Sequence, residues 1–169
     1  MMRAMRHLLS ASVLGAAIAA FSGAAANAAP IVKLASVDAT APVVAPPPPS
    51  AVVTAQIDIS DQTMTVYVNQ WLTYSFQVST ARRGYITPVG EYQAEWLSPR
   101  HRSRKYDNAP MPWAVFFHGG YAVHGTTDIR HLGKPASHGC VRLHPANARL
   151  FFALVKVVGK ENSYINVVE

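Results

Sequence analysis

Residues Tyr121–Leu143 read YAVHGTTDIRHLGKPASHGCVRL. A Gly119-Gly120 turn precedes them, and Tyr121-Ala122-Val123 is aromatic and β-branched, so the segment opens as a strand with His124 at its end. It closes on Ser137-His138-Gly139-Cys140, and Cys140 is the single cysteine of the 169 residues. A thiol becomes a nucleophile at neutral pH when a base or a positive neighbour draws off its proton. Two histidines could serve. His138 lies two residues from Cys140, and His124 lies sixteen residues earlier, aimed by a rigid strand. Gly139 lets the backbone turn sharply and present amide N–H groups to a developing oxyanion.

Outward from this stretch the chain reads as short strands. Gln56–Ser60 and Thr63–Val68 alternate around a turn at Asp61-Gln62. Asn69-Gln70 gives a second turn, followed by strands over Trp71–Ser79 and Val89–Leu97. Residues 98–112, with Pro99, Pro110 and Pro112, read as a polar loop, and Trp113–His118 as a strand. One helix is expected after Pro145 and before Gly159, with Ala146, Leu150, Phe151, Leu154, Val157 and Val158 on its apolar face. Ser163–Val168 closes the chain as a strand. The expected fold class is mostly β, a sandwich or mixed sheet with one packed α-helix, over residues 55–169. Trp71 and Trp96 are assigned to packing.

The N-terminus has a different character. MMRAMRH is positive, LLSASVLGAAIAAF is apolar, and Ala26-Asn27-Ala28 has the form that signal peptidase reads. Residues 1–29 are therefore expected to be a secretory signal peptide, too short in its apolar run to span a bilayer. No later apolar stretch is long enough to cross one. Residues 30–54, with Pro46-Pro47-Pro48-Pro49, read as an extended linker. The formal net charge is +6, and +4 without residues 1–29. A basic surface suits an anionic partner: wall polymer, nucleic acid or membrane face. Export gives the lone cysteine meaning, since a thiol in an oxidising compartment is a liability unless it is used.

These motifs resemble the L,D-transpeptidase (YkuD-type) catalytic domain family. The carriers are His124, twelve intervening residues, then Ser137-His138-Gly139-Cys140, continued by Val141-Arg142-Leu143. Thr87-Pro88-Val89-Gly90-Glu91-Tyr92 and Met111-Pro112-Trp113 resemble further family segments. Arg142 stands where some members have Asn. The resemblance implies that Cys140 attacks an acyl carbonyl, that His124 is its base, and that the Gly125 carbonyl fixes the imidazole tautomer. It makes His138 and the amides of Gly139 and Cys140 candidates for the oxyanion pocket. Ser137, Arg142, Tyr121 and Trp113 are candidates for substrate contact, with Arg142 either holding a peptide carboxylate or pairing with Asp128. The implied substrate is a peptidoglycan stem tetrapeptide, and the implied acceptor a second stem or an outer-membrane protein amine. The implied compartment is the periplasm, with no metal, organic cofactor or nucleic acid. The basic run Arg100-His101-Arg102-Ser103-Arg104-Lys105 falls where the family carries a lid.

Four other readings compete. The histidines and Cys140 could hold zinc, but their spacing fits no compact zinc motif. A wall endopeptidase of the NlpC/P60 type would place cysteine before histidine. A wall-binding module with a dead site would not need an intact His124/Cys140 pair. Water as acceptor would give an L,D-carboxypeptidase or amidase through the same acyl-enzyme.

Overall fold

The structure, a computed structural model, describes residues 50–169. The expected signal peptide and most of the expected linker lie outside the described residues. Nine strands and one helix follow in chain order. They are β1 Val53–Asp58, β2 Thr63–Val68, β3 Trp71–Gln77, β4 Gly90–Gln93, β5 Trp96–Ser103, β6 Ala109–His118, β7 Tyr121–Gly125, β8 Val141–Leu143, α1 Pro145–Val158 and β9 Ser163–Val168. β1 opens at Val53, two residues inside the stretch read as linker. Among the described residues no helix is long and apolar enough to cross a membrane.

The strands form two mixed sheets. One has the order β3-β2-β1-β9-β4, the other β5-β6-β7-β8. β1 and β9 are parallel, as are β7 and β8, and the remaining pairs are antiparallel. The expected fold class is therefore observed. Period-2 alternation builds the core: Val53, Ala55 and Ile57 of β1, Met64 and Val66 of β2, and Ile165 and Val167 of β9 point inward. The second sheet supplies Val115, Phe117, Val123, Val141 and Leu143 to the same cluster. Hairpin chemistry sets the β2–β3 register, in which Val68 faces Trp71. Asn69 and Gln70 both take positive φ, 50° and 69°, as a two-residue turn requires.

The segment expected as one strand over Val89–Leu97 is two, in different sheets. The Ala94 amide donates to Ser163 O at 2.9 Å, and the next amide, Glu95, donates to Phe116 O at 2.7 Å. The chain changes sheet between those two hydrogen bonds. The expected polar loop over 98–112 is mostly a hairpin of β5 and β6. Its prolines are tolerated because β7 pairs only with the far end of β6, which leaves the proline end an open edge.

Pro145 starts α1 as expected, and Nδ1 of His144 caps it by accepting from the Ala146 amide at 3.3 Å. Its buried face is Ala148, Phe151, Phe152, Val155 and Val158. The face is rotated from the expected one, leaving Leu150 and Val157 exposed. Trp71, expected in packing, is 80% exposed at the start of the edge strand β3. Phe151 joins α1 to the core with 1% exposure, so Phe151→Ala should lower stability by about 3–5 kcal/mol, read as a shifted midpoint in urea unfolding.

Candidate active site

The four-stranded sheet uses its two faces differently. Val115, Phe117, Val123 and Val141 enter the main core, whereas Ala114, Phe116 and Ala122 form a second apolar cluster against which Cys140 packs. Parallel pairing of β7 with β8 aligns Val123 with Val141 and His124 with Arg142. Extending that ladder by one residue sets Cys140 beside Ala122. Alternation then puts His124 and Cys140 on the same face, on neighbouring strands and diagonally related. Both line one cleft of about 880 Å³.

The imidazole is held rigidly. His124 is buried, and its Nδ1–H donates to the Gly125 carbonyl at 2.8 Å. A carbonyl only accepts, so this bond fixes the proton on Nδ1 and leaves Nε2 as the basic nitrogen. Gly125 is itself wedged. A Cβ there would stand 3.1 Å from Pro145 Cα and 3.2 Å from Pro112 O. Burial is the main cause that lowers the His124 pKa to about 4, with Arg142 and His101 adding to it against the Gly125 bond. Burial also pushes the Cys140 thiol up, against the Ala122 amide and Arg142, which favour thiolate. The resting pair is a neutral thiol beside a neutral imidazole.

The loop before Cys140 is fixed by sequence-specific contacts. Gly139 has φ +126°, and a Cβ would fall 2.5 Å from Tyr121 Cε1 and 2.7 Å from Ile86 O. Its N–H donates to Ser137 Oγ at 2.9 Å, and its carbonyl accepts from Thr87 Oγ1 at 2.9 Å. The Gly139 amide is therefore engaged, which leaves the Cys140 amide as the oxyanion candidate of the two. Ser137 is fully buried and acts as a loop brace. Nε2 of His138 accepts from Arg82 at 2.7 Å, its ring stacks on Tyr106 at 4.2 Å, and Tyr85 meets it edge-on at 4.7 Å. His138 thus ties three segments together, and its Nε2 is not available to an oxyanion.

Arg142 lines the cleft and its Nη1 lies 3.6 Å from Asp128 Oδ2. That is the ion-pair alternative, shared with His131, whose Nδ1 reaches the same oxygen at 2.7 Å. Tyr121 is in the cleft wall. Trp113 is not: it packs on Phe152 at 5.5 Å and lines a second cavity beside α1. Its φ of 58° inverts the strand alternation, so Met111 rather than Pro112 joins the cleft-side cluster. The histidines are dispersed, with His118 against Tyr92 and His144 on the helix cap. Among the described residues no three His, Cys, Asp or Glu side chains converge as ligands. Reading the sequence missed Arg82, Tyr85, Thr87, Tyr106, Trp96 and His101 as site residues. Thr87 alone stood in a quoted motif, and the basic run held His101.

A two-sheet β domain with a thiol and a buried imidazole in one cleft sets the class. The profile of the YkuD family, the L,D-transpeptidase catalytic domain, matches residues 53–162. The chain belongs to that family. YkuD of Bacillus subtilis (strain 168) is 26% identical over 90 residues, 52% of this chain and 51% of that protein. A solved L,D-transpeptidase from Mycobacterium smegmatis has a TM-score of 0.63 and 25% identity, over 70% of this chain and 59% of that one. The L,D-transpeptidase LdtMt1, solved in complex with imipenem, has a TM-score of 0.62 and 23% identity, over 70% and 59%. The chain spans about half the length of the curated relative and about three-fifths of these solved chains.

The His124 environment generates a pH signature. The unfolded imidazole protonates near 6.5, whereas the folded one stays neutral down to about 4. Stability is therefore full above pH 6.5 and declines as pH falls to about 4, by up to roughly 3 kcal/mol. Melting of the native chain should drop across that window, and His124→Gln should remove this part of the decline.

Proposed function

We propose that this domain is an exported cysteine acyltransferase acting on peptidoglycan stem tetrapeptides. The observation that supports it best is the shared face and cleft of Cys140 and His124, with Nε2 of His124 left as the base. Nε2 takes the thiol proton as Sγ attacks the carbonyl of the third stem residue. The Cys140 amide steadies the oxyanion. The carbon–nitrogen bond to the terminal D-alanine then breaks, and His124 returns its proton to the departing amine. A thioester remains. An acceptor amine attacks it, gives its proton to His124, and the thiol is restored. Gly125 keeps the tautomer right throughout.

The acceptor is the amine of a second stem, giving a 3→3 cross-link, or an amine of an outer-membrane protein. Water in that place gives the carboxypeptidase or amidase outcome from the same thioester. Residues 1–29 read as an export signal, which supports the periplasm as the site of action. The imipenem complex of LdtMt1 supports a carbapenem as a ligand of this cleft as well.

Incubation with a disaccharide-tetrapeptide should add a tripeptide acyl group to Cys140 and release D-alanine, followed by mass. Cys140→Ala should abolish the adduct. A folded native chain that forms none refutes the proposal. Cross-linked dimer against free tripeptide separates transferase from hydrolase.

Arg104 and Lys105 lie at the cleft mouth, on the tip of the β5–β6 hairpin. Reversing Arg100, Arg102, Arg104 and Lys105 should slow capture of polymeric wall substrate several-fold at low ionic strength. The difference should vanish near 1 M salt, where the Debye length is about 3 Å. Rate against salt measures it.

A further inference from the structure

One row of side chains crosses the cleft-facing side of the four-stranded sheet. Trp96 on β5 pairs with Phe116 on β6, and Phe116 pairs with Ala122 on β7. The β7–β8 ladder, extended by one residue, sets Cys140 at the end of the row. Three interstrand steps separate the ends, so Trp96 stands roughly 14 Å from the nucleophile.

Packing accounts for one face of Trp96 only. Its ring lies flat on Phe116, with centroids 3.7 Å apart and planes within 3°. His101 meets both rings edge-on, at 5.4 Å from Trp96 and 4.9 Å from Phe116. Were His101 on the outer face of the indole, it would be far more distant from Phe116. The similar distances set it beside the stack, so His101 leaves the outer indole face clear. Trp96 is accordingly 43% exposed while lining the cleft. Phe116 below is buried and rigid, so the indole is fixed before any ligand arrives.

We propose that the outer face of Trp96 is a glycan subsite, on which a pyranose ring of the substrate stacks while His101 hydrogen-bonds its hydroxyls. The inference rests on the peptidoglycan reading above. The C–H face of a pyranose is apolar and flat, which suits an aromatic ring. Spacing agrees. The attacked carbonyl belongs to the third residue from the sugar, and three extended residues reach about 10–11 Å. With the thiol and the indole reaching into the cleft from either end, that length fits a row of roughly 14 Å. Burial and then the Arg104 charge lower the His101 pKa, which favours the neutral ring, in which one nitrogen donates and the other accepts.

The test compares two donors, the free tetrapeptide and the disaccharide-tetrapeptide, by kcat/KM for D-alanine release. The native chain should prefer the disaccharide form by roughly tenfold. Trp96→Ala should bring the ratio of the two close to one, and Trp96→Phe should keep most of it. No preference in the native chain overturns the proposal. So does a Trp96→Ala loss shared equally by both donors, which would mark a structural role. If neither donor acylates the native chain, the acyltransfer reading fails, and the subsite is judged by binding. Titrating Cys140→Ala protein with N-acetylglucosaminyl-N-acetylmuramic acid should then give a saturable fluorescence change that Trp96→Phe removes. No saturable change, or one that survives Trp96→Phe, overturns it.

Discussion

The parallel pairing of β7 with β8 is the constraint on which the site depends. Its described register covers only Val123–Gly125 against Val141–Leu143. A parallel pair needs a crossover of a dozen or more residues. Here the connection runs through residues 126–140 with a single short 3-10 turn, Ile129–His131. So long a connection would be loose by itself. It is laced to the segment Val78–Arg82 instead. Gly133 N donates to Val78 O at 2.7 Å, Ser137 N to Thr80 O at 2.8 Å, and Arg82 N to Ser137 O at 3.0 Å. Arg142 and Ser79 exchange both backbone hydrogen bonds, at 2.9 and 3.0 Å. The thiol's position is thus set by a segment some sixty residues upstream, through backbone groups that carry no chemistry of their own.

Burial then decides the electrostatics. The same low-dielectric setting that lowers the imidazole raises the thiol, so neither partner is charged at rest. An ion pair would need each to be shifted the other way. In the proposed acyl transfer, a neutral pair suits a base that acts during attack, with the proton moving only as the sulfur's electrons are committed to the carbonyl. It also lessens the exposure of the chain's one cysteine to adventitious oxidation, since the thiolate is the oxidised form's precursor. Arg142 favours thiolate but shares its charge with Asp128, which moderates its pull on both groups.

Much of this was legible in the sequence, and the reasons differ by element. β2 and β9 were readable because one face is core and one is wet, which gives clean alternation. His124 at a strand end, Gly139 before Cys140 and the Pro145–Gly159 helix frame were readable because each residue type meets a local backbone demand. The sheet change at Ala94-Glu95 was not, because a strand leaving one ladder for another has no periodicity break. The β5–β6 hairpin was hidden by prolines that only an open edge permits. Trp113 looked like a cleft residue by motif position, yet it shares the parity of Val115 and Phe117 and packs on the main core. His138 looked like the nearest base, yet Arg82 and two tyrosines converge on it from segments that sequence distance cannot relate.

The division of faces explains why so small a domain can hold a site at all. Alternation makes every second residue of β6, β7 and β8 a core residue, so Val115, Val123 and Val141 secure the strands. The residues between them, Phe116, Ala122 and Cys140, are released from that duty. A cleft built this way is rigid because its floor is the back of the core. It is also linear, because residues paired across strands fall in a row whose members stand about 4.8 Å from one another. A row suits an extended ligand whose reacting carbonyl and whose distal end must be read together. The Cys140 thiol lies at one end of the row in this domain, and the single large aromatic ring of that row with an exposed face, Trp96, lies at the other.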